Sequence, residues 1–201
     1  MADTTRTFLA LAIPDDRVAK LGRLQSLIAP EMPGTRWVDP TRFHATLAFL
    51  GDVPHADLGR VCRAVAVACA DRGPLDLRLE GLGVFPDIER PRVAWVGLTG
   101  PDIEELGALR AAVVEAVGRA GYPPDDPRFH PHVTLGRLQV RRGAPAPAGL
   151  DALLRHYHLW SAGSFRVVEV VTYSSTLNPE GPLYTPIARA PLGGGKDQAS
   201  P

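Results

Sequence analysis

Two short patterns in this 201-residue chain carry residue types suited to acid–base chemistry. His44-Ala45-Thr46-Leu47 lies inside the apolar run Phe43 to Leu50, and His132-Val133-Thr134-Leu135 opens the run that ends at Val140. The histidines stand 88 positions apart, so each pattern falls in its own half of the chain. Both runs are short and bounded by Pro and Gly, Pro40 and Gly51 for the first and Pro131 and Gly143 for the second. Such composition predicts β-strands, in which residues i and i+2 share a face. Each His-x-Thr therefore presents an imidazole beside a hydroxyl.

An imidazole can take or give a proton near neutral pH. Two of them facing one substrate divide the work, one neutral as base and one protonated as acid. That division suits in-line displacement at phosphorus, where one histidine activates water and the other protonates the departing oxygen. The adjacent threonine hydroxyls can hydrogen-bond the non-bridging oxygens as charge builds there. A singly charged diester whose leaving group is protonated needs no metal ion. The requirement is geometric: the two rings must flank one phosphorus atom.

Other histidines invite a metal reading, because His130-x-His132 and His156-x-His158 each place two imidazoles on one strand face. No Cys or acidic residue stands nearby at ligand spacing, so no metal and no cofactor is expected. His55 reads as a surface residue at a helix start, and Trp37, Trp95 and Trp160 as core. There is no GxGxxG or P-loop at any strand-to-helix turn.

The elements that must position these residues follow from periodicity. Thr7 to Ile13 is a strand ended by Pro14, and Asp15 or Asp16 caps a helix with Val18, Leu21, Leu24 and Ile28 inward. Arg36-Trp37-Val38 is a short strand before the first motif, and a helix spans about His55 to Asp71 after it. Leu75, Leu77 and Leu79 alternate with charged residues as a half-buried strand, and Val93 to Leu98 is another. Asp102 opens a helix that ends at Gly121, and a proline-rich loop leads to the second motif. Gly143 to Gly149 is a connector, Leu150 to Tyr157 a short helix, Phe165 to Ser174 a strand and Pro182 to Ile187 a last strand. The order approximates a duplicated αβ unit. It predicts an α+β fold of two pseudo-symmetric lobes, each an antiparallel sheet with helices on its outer face, and a groove between them. One domain is expected over 1–188, with a patternless and disordered tail over 189–201.

Composition bounds the function. Lys plus Arg and Asp plus Glu are both 22, so nucleic-acid affinity must come from a local patch. Nearly all the basic residues are Arg, which suits phosphate contacts, although genomic composition also enriches Arg. No apolar stretch reaches the roughly 20 residues that span a bilayer, and without a basic region followed by an apolar one at the N-terminus no signal peptide is expected. Cys62 and Cys69 fall on one helix too far apart for a disulfide. A reduced, cytoplasmic monomer is expected.

The chain resembles the 2H phosphoesterase superfamily, and within it the RNA 2′,3′-cyclic phosphodiesterases once described as 2′-5′ RNA ligases. The resemblance runs from about Phe8 to Tyr184. It rests on Arg36-Trp37-Val38, on Phe43 to Gly51, on Gly83-Val84-Phe85 with Arg92 to Val96, on Phe129 to Arg137 and on Gly181 to Tyr184. It implies hydrolysis of an RNA-terminal 2′,3′-cyclic phosphate to a 2′-phosphomonoester. It further implies His44 as proton donor to the leaving 3′-oxygen, His132 as acceptor from water, and Thr46 and Thr134 as phosphate hydrogen-bonders. Arg137 matches a basic residue that often follows the second motif and could hold phosphate, and Phe49 could stack on a base. Regular alternation turns both away from the histidines. A bulge at Gly136 would return Arg137 to the groove, and core packing is the expectation for Phe49. Alternatives are another small cyclic phosphate, a 2′-5′-linked oligonucleotide or its formation by ligation, and an RNA-binding module without turnover.

Overall fold

A computed structural model describes residues 3–124, 129–139, 146–178 and 181–193. The elements run β1 (Thr4–Ala12), α1 (Asp15–Ile28), β2 (Thr35–Trp37), β3 (His44–Pro54), α2 (His55–Ala70), β4 (Leu75–Phe85), β5 (Val93–Thr99), α3 (Ile103–Arg119), β6 (His132–Leu138), α4 (Leu150–His156), β7 (Ser161–Val167), β8 (Glu169–Asn178) and β9 (Gly181–Pro191). All strands join one antiparallel sheet in the order β7-β4-β5-β6-β3-β1-β8-β9, with β2 paired to β6. The two expected sheets are therefore half-sheets of one, and the strands bearing the motifs form the seam.

Local pattern explains the elements. In β4 the leucines at 75, 77 and 79 are buried while Asp76 and Arg78 are exposed, the period of a one-sided strand. Leu21, Leu24 and Ile28 of α1, Val61, Val65 and Cys69 of α2, and Leu106, Leu109, Val113 and Val117 of α3 recur at helical spacing and are buried. They share one core with Ala45, Leu47, Val133 and Leu135. The motif residues between these, facing the other way, are left for the groove.

Each half-sheet draws strands from both ends of the chain. After α2 the chain crosses so that β4 pairs with β5 and β7, and the hairpin β8–β9 returns to pair with β1. The helices cross in the same sense. α1 follows β1 yet lies against β7, where Arg17 Nε donates to the Ser164 carbonyl (2.9 Å) and Lys20 Nζ to that of Ala162 (3.0 Å). α3 follows β5 and packs on α2 and β3. The lobes are thus interlocked products of both halves, not one half each.

Several boundaries differ from the periodicity. Pro14, not an aspartate, occupies the N-cap of α1, and Asp15 and Asp16 sit in its first turn, where the helix dipole favours carboxylates. The run Phe165 to Ser174 is split by Val168, 52% exposed, into β7 and β8. β9 extends to Pro191, and the Leu192 N–H donates to the Val168 carbonyl (2.8 Å), so residues 189–193 belong to the fold. The rest of the expected tail, 194–201, and part of the expected connector, 143–145, lie outside the described residues. Cys62 and Cys69 are free thiols, and burial pushes that of Cys69 up to about 11. Among the described residues no helix is long and apolar enough to cross a membrane.

Candidate active site

β3 and β6 meet at a single registered pair, Ala45 with Val133, running antiparallel. That register sets His44 opposite Thr134 and Thr46 opposite His132, with all four side chains on the face away from the core. On the outer flanks, the small residues Ala12 of β1 and Gly97 of β5 face His44 and His132. The four side chains line one groove of about 920 Å³, together with Arg137 and Phe49. The structure thus brings together all six residues expected to serve catalysis or substrate binding.

Both rings are fixed in the same way. His44 Nδ1 lies 2.8 Å from the Arg42 carbonyl and His132 Nδ1 lies 2.6 Å from the His130 carbonyl. A carbonyl can only accept, so Nδ1 carries the proton in each and Nε2 is the exchangeable nitrogen. Edge-on aromatics brace them: Tyr184 at 5.1 Å from His44, and Phe85 at 5.0 Å from His132, between ring centres. Phe8 leans on His44 at 5.0 Å and is itself stacked on Tyr173. Burial lowers the pKa of His44 below the ordinary imidazole value, against the Arg42 carbonyl, which favours the cation; the charge of His132 adds to the lowering. Burial likewise lowers His132, opposed by the His130 carbonyl and assisted by the charges of His130 and Arg137.

Each motif strand bulges at the same place. Against β1, Thr46 pairs with Ala10 and Ala48 with Leu9, leaving Leu47 extra. Against β5, Thr134 pairs with Trp95 and Gly136 with Ala94, leaving Leu135 extra. A bulge reverses the alternation beyond it. Phe49 and Arg137, each five residues after its histidine, consequently arrive on the groove face. Phe49 is 61% exposed and lines the groove, which overturns the expectation of core packing. Gly136 follows the bulge toward the core, where a β-carbon would lie 2.7 Å from atoms of both Thr35 and Trp37.

The groups that secure the bulges lie far from them in the chain and carry no local signal. The extra leucines expose their carbonyls to a helix on each side. Arg110 Nε of α3 donates to the Leu47 carbonyl (3.2 Å), while Gln25 Nε2 of α1 donates to those of Leu135 (2.9 Å) and Val38 (2.7 Å). Each helix thereby holds the motif of the opposite repeat.

The metal reading finds a pair only. The rings of His130 and His132 are 6.5 Å apart, His156 packs edge-on against Tyr157, and His158 Nδ1 bonds the Arg155 carbonyl. Among the described residues no group of three or more His, Cys, Asp or Glu gathers as a metal site would need. His55 opens α2 and meets Thr5 Oγ1 at 2.7 Å, as its surface reading requires. Trp95 lies against Gly83 beneath His130, and Trp160 packs on the core; Trp37 also touches the groove.

The model of the LigT like Phosphoesterase family matches residues 11–95 and 96–184, one motif in each span. An RNA 2′,3′-cyclic phosphodiesterase of Aeropyrum pernix is 36% identical over 83% of this chain and 92% of its own length. A protein of the same name from Aquifex aeolicus is 34% identical over 79% and 82%. A crystal structure from Thermus thermophilus superposes with a TM-score of 0.74 at 29% identity, covering 95% of this chain and 99% of that one. E. coli LigT in complex with 3′-AMP gives 0.74 at 25% identity, over 94% and 99%. The chain belongs to the LigT-like phosphoesterase family.

Proposed function

We propose that this protein hydrolyses the terminal 2′,3′-cyclic phosphate of RNA to a 2′-phosphomonoester, by two-histidine acid–base catalysis without a metal ion. The observation that carries the reading is the Ala45–Val133 register, which sets a histidine and a threonine from each motif around one point of the groove. Water attacks phosphorus as His132 Nε2 takes its proton. The bond to the 3′-oxygen breaks as the protonated His44 Nε2 delivers a proton to that oxygen, leaving a 3′-hydroxyl and a 2′-phosphate. Thr46 and Thr134 donate to the non-bridging oxygens, and Arg137 offsets the charge that builds on them. Phe49, exposed at the rim, takes a base by stacking.

Support comes from the tautomers, which leave Nε2 of both rings for proton transfer, and from the relatives, which are named for this reaction. The 3′-AMP complex of E. coli LigT adds a nucleoside phosphate bound by a protein of the same fold. Free thiols and a self-contained groove fit a monomer working in the cytoplasm. Phosphorus NMR on a nucleoside 2′,3′-cyclic phosphate in EDTA tests the proposal. Conversion to the 2′-phosphomonoester, abolished in His44→Ala and in His132→Ala, is expected; turnover that EDTA stops, or a 3′-phosphate product, would overturn it.

A further inference from the structure

The groove contains guanidinium groups that the hydrolytic step does not use. β2 and β6 are registered with Arg36 directly opposite Arg137, so both side chains leave the same face, and both line the groove. Like charges placed directly opposite across strands destabilise a sheet. Among the described residues neither arginine forms an ion pair with a carboxylate. Arg42, two residues before His44, lines the same end. A β-carbon on Gly181 would fall 2.4 Å from Arg42 Nη1 and 3.7 Å from Arg36 Nη2, so both guanidiniums close on one point at the start of β9. Among the described residues Asp39 is the acid lining this end, and its carboxylate accepts from the N–H and hydroxyl of Thr41 while feeling the charge of Arg42.

We propose that Arg36 and Arg42 form a second phosphate subsite, holding the phosphate on the 5′ side of the terminal nucleotide while the histidines act on its cyclic phosphate. The proposal rests on the reading of function above and extends it to a substrate preference. Arg42 stands two positions before His44, in the tight turn that leads into β3, and Arg137 three positions after Thr134 on β6, a span of about 10 Å along that strand. Long arginine side chains bring that within the reach of one nucleotide. Guanidinium matches phosphate by paired charge-assisted hydrogen bonds, and an anion seated there relieves the opposed charges of Arg36 and Arg137. Gly181 keeps the two heads together, since any side chain there would displace Arg42. The subsite distinguishes an RNA end from a free cyclic nucleoside phosphate.

The test compares kcat/KM on adenosine 2′,3′-cyclic phosphate, its 5′-phosphorylated form, and the dinucleotide ApA ending in the cyclic phosphate. Wild type is expected to gain about tenfold or more from a 5′ phosphate group, the worth of one or two charge-assisted contacts. Arg36→Gln should abolish the gain and leave the rate on the unphosphorylated substrate unchanged. A gain on both longer substrates means the subsite takes monoester or diester; a gain on one alone names its source. No gain in wild type, or an equal loss on all three substrates in Arg36→Gln, would overturn the proposal. Calorimetry separates this from the catalytic reading. Adenosine 3′,5′-bisphosphate should bind wild type more tightly than 3′-AMP does, and Arg36→Gln should bind the two alike. Equal affinities in wild type sink the subsite even if hydrolysis is seen, whereas a binding gain without turnover sinks the hydrolysis alone.

Discussion

At the scale of single residues, the site is built from pairs of unlike groups set crosswise. His44 faces Thr134 and His132 faces Thr46, so a phosphate seated between the strands would have an imidazole and a hydroxyl from each repeat around it. Replacing either histidine by alanine should lower kcat by about 10²–10⁴-fold, the usual yield of a positioned acid or base. The pH profile follows from the shifts. The acid must be protonated, so activity falls as pH rises through its pKa; the base must be neutral, so activity falls as pH drops through its own. Burial lowers both below the ordinary imidazole value of about 6.5. The bell in kcat/KM, which reports the free enzyme, should therefore centre on the acid side of 6.5. Bound phosphate, being anionic, raises both pKa values, and the bell in kcat should lie at higher pH. Stopped-time assays across pH 4 to 9 read both curves; a kcat/KM bell centred above neutrality would contradict the buried-imidazole picture. If Phe49 takes a base by stacking, Phe49→Ala should raise KM by the loss of about 1–3 kcal/mol and leave kcat nearly intact.

Among elements, the paired bulges decide which side chains the groove receives. Phe49 and Arg137 are on the groove face only because Leu47 and Leu135 are extra in their ladders. If the Gln25 amide holds the second bulge, Gln25→Ala leaves the Val38 carbonyl without that donor and the Leu135 carbonyl with the Val38 N–H alone. The expected cost is about 1–3 kcal/mol in stability, with a kcat loss resembling that of Arg137→Ala. Gly136→Ala should do the same by overpacking against Thr35 and Trp37, at about 1–3 kcal/mol. Urea midpoints and steady-state kinetics on both variants measure this, and a Gln25→Ala enzyme as stable and fast as wild type would remove the clamp. These bulges also mark where sequence reasoning stopped. Alternation located both motif strands and the inward set Ala45, Leu47, Val133 and Leu135, because period two is a local property. It then misdirected Phe49, since a bulge is secured by carbonyl partners on α1 and α3 that lie far away in sequence. Gly136 was the one local sign, and the first repeat carries Ala48 there and offers none. Trp37 packs on the core, as its composition suited, and also touches the groove.

For the whole molecule, the exchange of elements makes the two repeats one folding unit. β4 leaves the first repeat to complete the second half-sheet, β8 and β9 come back to complete the first, and α1 and α3 each brace the motif of the other. The half-sheets touch through one registered pair, so the seam itself contributes little backbone pairing. What holds the groove shut is the crossing of chain segments, whose apolar faces share one core. Two lobes that each kept their own elements could unfold separately, the weaker first. Interlocked lobes cannot, because melting either strips core surface from the other. Denaturation in urea should accordingly follow one transition, coincident by far-ultraviolet circular dichroism and by the fluorescence of Trp37, Trp95 and Trp160, which sit on β2, on β5 and beside β7. Lesions remote from each other should shift the same midpoint. Leu24→Ala in α1 and Val65→Ala in α2, both fully buried, are each expected to cost about 2–5 kcal/mol without separating the two signals. A biphasic curve in either variant, with one probe leading, would mean that the lobes are independent and that the histidines are held at their crosswise register by something other than the exchanged strands.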